Sequence, residues 1–397
     1  MLRGTPLHAR TSALCQAQNW RRWSGYLAAS SYELHHDREY WAIRSAAALI
    51  DVSPIYKYLV RGHDALRLLN RVVTRDLARC AVGQIFYTPW CNAEGKVIDD
   101  GLVARLEKDA FRLTSAEPNL RWLTDNALGL DAEVVDESES LAALAVQGPF
   151  SRQILRRAVE PGAALENLRT FRVLRGSLGG IPVTVTRTGY TGDLGYEVWV
   201  EAARAIDAWD LLMEVGEGYG LLPAGLLALD LARVEAGLVL IDVDYVPAPR
   251  ALTGSQLSSP LELNLGWAVD LEGAPFNGRG ALREEKRRGP EWQFVGLDVD
   301  WEALERLYAA EGLPPQLPTA AWRGSAPVYD GRRQVGYATS GAWSPLLKRY
   351  LALAHLQAQH ARPGTQLFME LTVEHHQQKA PARVVNLPFL DPARRRA

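Results

Sequence analysis

Apolar and polar residues alternate in four stretches of the first two thirds of the chain. They are YKYLVRG at 56–62, KVIDDGLVARL at 96–106, FRLTSA at 111–116 and VTVTRTGY at 183–190. A period of two sends successive side chains to opposite faces, so these stretches predict strands. Between them apolar positions recur every three or four residues, which predicts helices. These are HDALRLLNRVV at 63–73, PFSRQILRRAV at 149–159, AARAIDAWDLLMEVG at 202–216 and LLALDLARVEAGL at 226–238. Asp64 is the expected cap of the first, and Pro149 takes a favoured first-turn position in the second. Strands and helices mix without a regular βαβ alternation, so the pattern predicts an α+β fold rather than a doubly wound sheet.

The pattern changes at EGAPFNGRGALREEKRRGPEW, 272–292, where Gly, Pro and charge crowd together and a domain boundary is expected. Beyond it FVGLDVD, APVYDGRRQVGYATS, RYLALAHL and QLFMELTV predict an all-β module, with one helical interruption at 301–311. The polar tail DPARRRA is expected to fray. No tandem repeat or low-complexity tract is visible.

Composition narrows the function classes. The 397 residues suit two or three domains, and 47% hydrophobic with 23% charged residues is ordinary for a globular protein. A net charge of −2 gives no long-range attraction for nucleic acid or anionic lipid. Arg287 and Arg288, the best basic candidates, follow Glu284 and Glu285 and read as a mixed-charge helix face. Cys15, Cys80 and Cys91 form no CxxC pair, which favours a reducing compartment. Arg3, Arg10, Arg21 and Arg22 precede the first acidic residue, Glu33, a bias shared with mitochondrial presequences. No apolar run approaches the roughly 18 residues of a membrane span, so no membrane is expected and a cytoplasmic location is. The histidines fall in no metal spacing, and neither GxSxG nor a Walker loop occurs.

The stretch RTGYTGDLGYE at 187–197 is the strongest candidate for chemistry. Gly189, Gly192 and Gly195 do not have dinucleotide-fingerprint spacing, and the following YEVWVEA reads as a strand, so no helix N-terminus is available to an anion. The plain alternative is a hairpin whose glycines supply positive φ. Tyr190, Asp193, Tyr196 and Glu197 nevertheless gather rings and carboxylates that suit a flat heteroaromatic ligand. In KVIDDGLVARL, Asp99 and Asp100 are adjacent in a strand, so one faces inward, as a ligand or base or as a structural acceptor. In 226–245, Asp230, Arg233 and Glu235 cannot all face the core, and an Asp230–Arg233 pair at i, i+3 is the simple reading.

Taken in order, TPLH at 5–8, IDVS at 50–53, GQIFYTPWCNAEGKVIDDGLV at 83–103, VQGP at 146–149, RTGYTGDLGYE, ARVEAGLVL at 232–240, LGWAVDLEGAPFNGRGAL at 265–282 and GYATSGAWSPLLKRYLALA at 336–354 resemble the aminomethyltransferase (glycine cleavage T-protein) family and its folate-dependent demethylase relatives. TPLH at the start of that pattern counts against a removed presequence. The resemblance implies a three-domain cloverleaf, ferredoxin-like α+β domains plus a C-terminal β-barrel or jelly-roll-like domain, around a central tetrahydrofolate site. On that basis 1–272 is the folate-binding region of two interleaved α+β domains, 273–292 a linker and 293–397 the barrel. Glu197 would accept hydrogen bonds from the pterin, with Tyr87, Ser115, Arg187, Tyr190 and Trp267 as further cofactor-binding residues. Asp100 would be the catalytic carboxylate near folate N5, with Asp99 its neighbour and Tyr245 close by. No metal is expected.

The departures concern the second substrate. Where T-proteins carry Ala-Arg-Asp, this chain has Ala228, Leu229 and Asp230, and Gly-Asn-Asp is replaced by Asp242, Val243 and Asp244. An apolar or cationic donor is therefore expected, with Leu229, Asp242 and Asp244 as substrate residues. The first functional expectation is a tetrahydrofolate-dependent transferase that demethylates a small N-, O- or S-methyl donor to give 5-methyltetrahydrofolate. The second is a true T-protein acting on a lipoyl carrier protein, and the third a folate-binding scaffold without turnover.

Overall fold

The computed structural model describes residues 2–396 and is a mixed α+β protein. Its frame consists of a seven-stranded sheet, a five-stranded antiparallel sheet and a closed six-stranded barrel, with a small three-stranded sheet near the N-terminus.

The middle of the seven-stranded sheet is built by Gly195–Glu201, Leu141–Gln147 and Ala47–Asp51. Both of its faces are covered: Ala143, Ala145 and Trp199 enter one core, and Ala142, Leu144 and Val198 another. A strand buried on both faces loses its period of two, which explains why AALID and LAALAVQ escape the alternation test. In the five-stranded sheet Ile85–Cys91 is an edge strand, so Pro89, which has no N–H, is tolerated opposite Asp100.

Helix Leu226–Glu235 links the layers and is buried along almost its whole length. Contrary to the sequence expectation, Asp230, Arg233 and Glu235 all lie inside, none more than 2% exposed. Each is neutralised by a partner, which makes charge burial tolerable. Arg233 bridges Asp230 at 2.8 Å and Asp244 at 2.7 Å, while Glu235 takes Arg44 at 2.6 Å and a hydrogen bond from Tyr40.

Several boundaries differ from the pattern. Asp64 stands at the helix N-cap but accepts no N–H there; its carboxylate accepts from the Asp131 N–H instead. Pro149 lies two residues ahead of helix Ser151–Ala158. Residues 273–292 contain helix Arg279–Arg288, anchored by Leu282 and Glu285. Of the tail expected to fray, Ala397 lies outside the described residues, and 393–395 is docked against the seven-stranded sheet region, where Arg394 bridges buried Asp193 at 2.6 Å. No helix among the described residues is long and apolar enough to cross a membrane.

Candidate active site

Strands Ile181–Thr186 and Gly195–Glu201 pair antiparallel, with Thr186 opposite Glu197, so 187–194 is the loop of a long hairpin. Only Gly192 of its three spaced glycines has positive φ, +71°, and it packs on Ala236. Gly189 and Gly195 are small for another reason: a Cβ at either would collide with the Gln147 side chain. That amide donates to the carbonyls of Thr188 and Tyr196 and accepts from the Thr191 hydroxyl at 2.9 Å. Gln147 thus fastens both arms of the loop, a role for the glycines beyond φ alone.

Strand alternation turns Tyr196 into the core and Glu197 the other way. Glu197 faces a cavity of about 420 Å³, within the usual range for small-ligand sites. The walls come from all three bodies: Tyr190 and Glu197 from the hairpin, Tyr87 and Asp100 from the five-stranded sheet, and Phe294 and Leu387 from the barrel side. Oε2 of Glu197 is buried and has no hydrogen-bond partner. Burial pushes this carboxyl up to about 7, opposed by the Thr188 and Thr186 hydroxyls. Tyr190 donates its hydroxyl to the Val239 carbonyl, which fixes its ring in the wall.

In the lining of the same cavity, Asp100 accepts from Tyr87 Oη at 2.8 Å on one oxygen and from Tyr245 Oη on the other. Burial raises the Asp100 pKa, and the Tyr245 and Tyr87 hydroxyls pull it back. Both tyrosines are themselves pushed upward, first by burial and then by the Asp100 charge, so they remain donors. Trp267 is 62% exposed and stacks on Tyr87, with ring centroids 5.5 Å apart, at the rim.

Two family models match the chain: "GCVT N-terminal domain" over residues 6–273 and "Glycine cleavage T-protein C-terminal barrel domain" over 312–391. The chain belongs to the glycine cleavage T-protein family. Among its relatives, the aminomethyltransferase of Halothermothrix orenii is 34% identical over 89% of this chain and 90% of its own length. The trimethylamine-oxide aldolase of Ruegeria pomeroyi is 33% identical over 90% of this chain but only 43% of its own length. The glycine cleavage system aminomethyltransferase T from Bartonella henselae superposes with a TM-score of 0.81 at 25% identity, over 98% of this chain and 99% of that one.

Within this T-protein frame, not every residue singled out in the sequence reaches the cavity. Tyr87, Asp100, Arg187, Tyr190, Glu197 and Trp267 line it. Asp99 points to the opposite face of its strand, where the N–H groups of Asp100 and Glu117 and the Asn119 amide all donate to it. Burial, then the Asp100 charge, drives the Asp99 pKa well above its ordinary value. Ser115 is buried and donates to the Glu117 carbonyl. Tyr245 is 3% exposed and stands behind Asp100. Leu229 packs in the same core cluster as Tyr245. Asp244 is occupied by Arg233, Thr339 and Ser340, while Asp242 sits at positive φ on the surface and pairs with Arg250. Sequence reasoning assigned no role to Gln147, to the Thr186 and Thr188 hydroxyls or to the barrel-side residues, although VQGP, VTVTRTGY, RTGYTGDLGYE and FVGLDVD contain several of them.

Proposed function

We propose that this chain is a cytoplasmic, tetrahydrofolate-dependent one-carbon transferase that demethylates a small N-, O- or S-methylated donor. One observation carries the cofactor assignment: the partnerless, buried Oε2 of Glu197 in a cavity of pterin-accommodating size that Asp100 also lines. A pterin has the ring and amino N–H donors that such a carboxylate lacks. Glu197 would hold the pterin, Tyr190 and Tyr87 would pack beside it, and Arg187, Leu387 and Trp267 would flank its extension. When bound, tetrahydrofolate supplies the nitrogen nucleophile that accepts the one-carbon group.

The protein's own contribution is placement and charge. Asp100, clamped by two tyrosine hydroxyls, presents a fixed carboxylate to the cavity and stabilises positive charge that develops there. It also takes the proton released when the carbon–nitrogen bond forms and the carbon–heteroatom bond of the donor breaks. Tyr245, hydrogen-bonded to Asp100, would pass a proton to the leaving heteroatom. Asp99 supports this unit by fixing the backbone of Asp100 and of 117–119 rather than by touching a ligand.

Mass analysis of folates after incubation with tetrahydrofolate and a panel of methylated amines, thioethers and methoxyarenes tests the reading. The expected outcome is 5-methyltetrahydrofolate from one panel member in wild type and none from Asp100→Asn. A second reading, aminomethyl transfer from a lipoyl carrier protein, is favoured by the full-length similarity to aminomethyltransferases. It predicts methylenetetrahydrofolate formed from the carrier alone.

A further inference from the structure

A second cavity, of about 240 Å³, lies where the N-terminal region meets the barrel, and it shares no lining residue with the cavity assigned to folate. Tyr40 comes from helix Asp37–Ser45, Leu231 from the buried helix, Trp301 from the start of helix Trp301–Ala310 and Trp343 from strand Arg333–Ser344. Folding thus gathers three rings. They are also held in place. Tyr40 donates its hydroxyl to Glu235 at 2.6 Å, Trp301 donates its indole N–H to Glu305 at 2.7 Å, and the two indoles lie with centroids 4.5 Å apart at 47°. With the polar atoms of Tyr40 and Trp301 spent, those rings offer a ligand chiefly their negative π faces.

The charge around the cavity is negative. Among its lining residues Asp37 alone is charged, since burial turns His36 towards the neutral form. The Asp37 carboxylate is exposed and, among the described residues, takes part in no hydrogen bond or ion pair. Its neighbour Arg38 is turned to Glu33 at 2.7 Å. Arg44, 5.8 Å from the Tyr40 ring, shares Glu235 and Asp193 with Arg394, so two cations there meet two carboxylates. Two helices begin at the cavity, and each N-terminus carries about half a positive charge. That is more than offset by Asp37 and Glu39 at one and by Asp300 and Glu302 at the other.

We propose that this cavity is a second ligand site, for a small tertiary or quaternary alkylammonium ion whose alkyl groups lie against Tyr40, Trp301 and Trp343 while Asp37 answers its charge. Aromatic faces attract such a cation, and one carboxylate matches one charge. A primary ammonium or a guanidinium would need several acceptors around it, and Asp37 is a single carboxylate. The volume lies below the usual range for drug-sized ligands, which keeps the ion small. None of this rests on the folate reading.

Calorimetry on the full chain tests it with tetramethylammonium and with choline against 3,3-dimethylbutan-1-ol, which keeps the shape of choline without its charge. Wild type is expected to bind choline about 10-fold or more tightly than the neutral alcohol. Asp37→Asn should remove most of that preference, and Trp343→Leu should weaken both cations about 5- to 30-fold. If Trp343→Leu fails to fold, the exposed replacement Asp37→Asn still decides. Asp100→Asn and Glu197→Gln, in the other cavity, should bind choline as wild type does. Equal affinity for choline and the alcohol would make this an apolar-ligand cavity and overturn the proposal. Absence of saturable binding of either cation at about 10 mM would do the same. So would a preference that survives Asp37→Asn and Trp343→Leu but is lost in Asp100→Asn, which would move the cation to the cavity assigned to folate.

Discussion

Glu197 and Asp100 face one cavity but are tuned by different neighbours. Glu197 has hydroxyls on one side and no partner for Oε2, and its pKa rises to about 7. A carboxyl raised in the folded state gives stability that is fully present below its ordinary pKa of about 4.5 and lost as pH rises through 7. Glu197→Gln should therefore raise the stability of the ligand-free protein by roughly 1–3 kcal/mol at pH 8, and by much less at pH 5, in denaturant titrations. Asp100 has two phenolic donors, so removing either should raise its pKa further. Tyr245→Phe is expected to lower kcat about 10²- to 10⁴-fold and to move the acidic limb of the pH–rate profile upward. At this scale sequence legibility was uneven. The period of two demanded that one of Asp99 and Asp100 face inward, but it could not tell which. The bulk that selects Gly189 and Gly195 belongs to Gln147, more than 40 residues away, and no local pattern encodes it.

At the scale of elements, the hairpin loop and the buried helix bring the site together. Gln147 spans the loop, and Gly195→Ala would force it aside. That variant should lose about 2–4 kcal/mol, read as a lower denaturation midpoint, and with it the ligand affinity of the cavity. In helix Leu226–Glu235, Arg233→Met would leave Asp244 buried without a cationic partner, held only by the Thr339 and Ser340 hydroxyls and the Leu240 N–H, and should cost about 3–5 kcal/mol. Half-buried strands such as Tyr56–Arg61 and Val97–Glu107 were legible because one face meets apolar core and the other does not. The covered strands Ala47–Asp51 and Leu141–Gln147 were not, since burial on both faces removes the periodicity on which such reading depends, and helix Leu226–Glu235 was legible as a helix but not as one buried all round. The helix within 273–292 was masked by glycines and charges that lie at its ends and on its solvent side, while Leu282 and Glu285 do the anchoring.

For the molecule as a whole, the cavity exists only where two sheet layers and the barrel meet, so neither region alone contains it. The ordered family motifs made the α+β frame and the barrel legible. The arginine cluster on Asp230 was not, because Arg21, Arg233 and Arg323 lie more than 300 residues apart at the extremes and meet only after folding. A ligand that touches all three bodies should stabilise them together. A single unfolding transition is expected to gain about 2.7 kcal/mol when tetrahydrofolate is present at a hundred times its Kd. The most direct measurement is calorimetric titration of tetrahydrofolate into wild type and Glu197→Gln at pH 6 and pH 8. Wild type should bind at pH 8 and lose affinity towards pH 6, as Glu197 takes up a proton, and the variant should bind at least tenfold more weakly at pH 8 with no such slope. Equal affinity in both proteins, or no binding to wild type, would contradict the assignment of this cavity to folate.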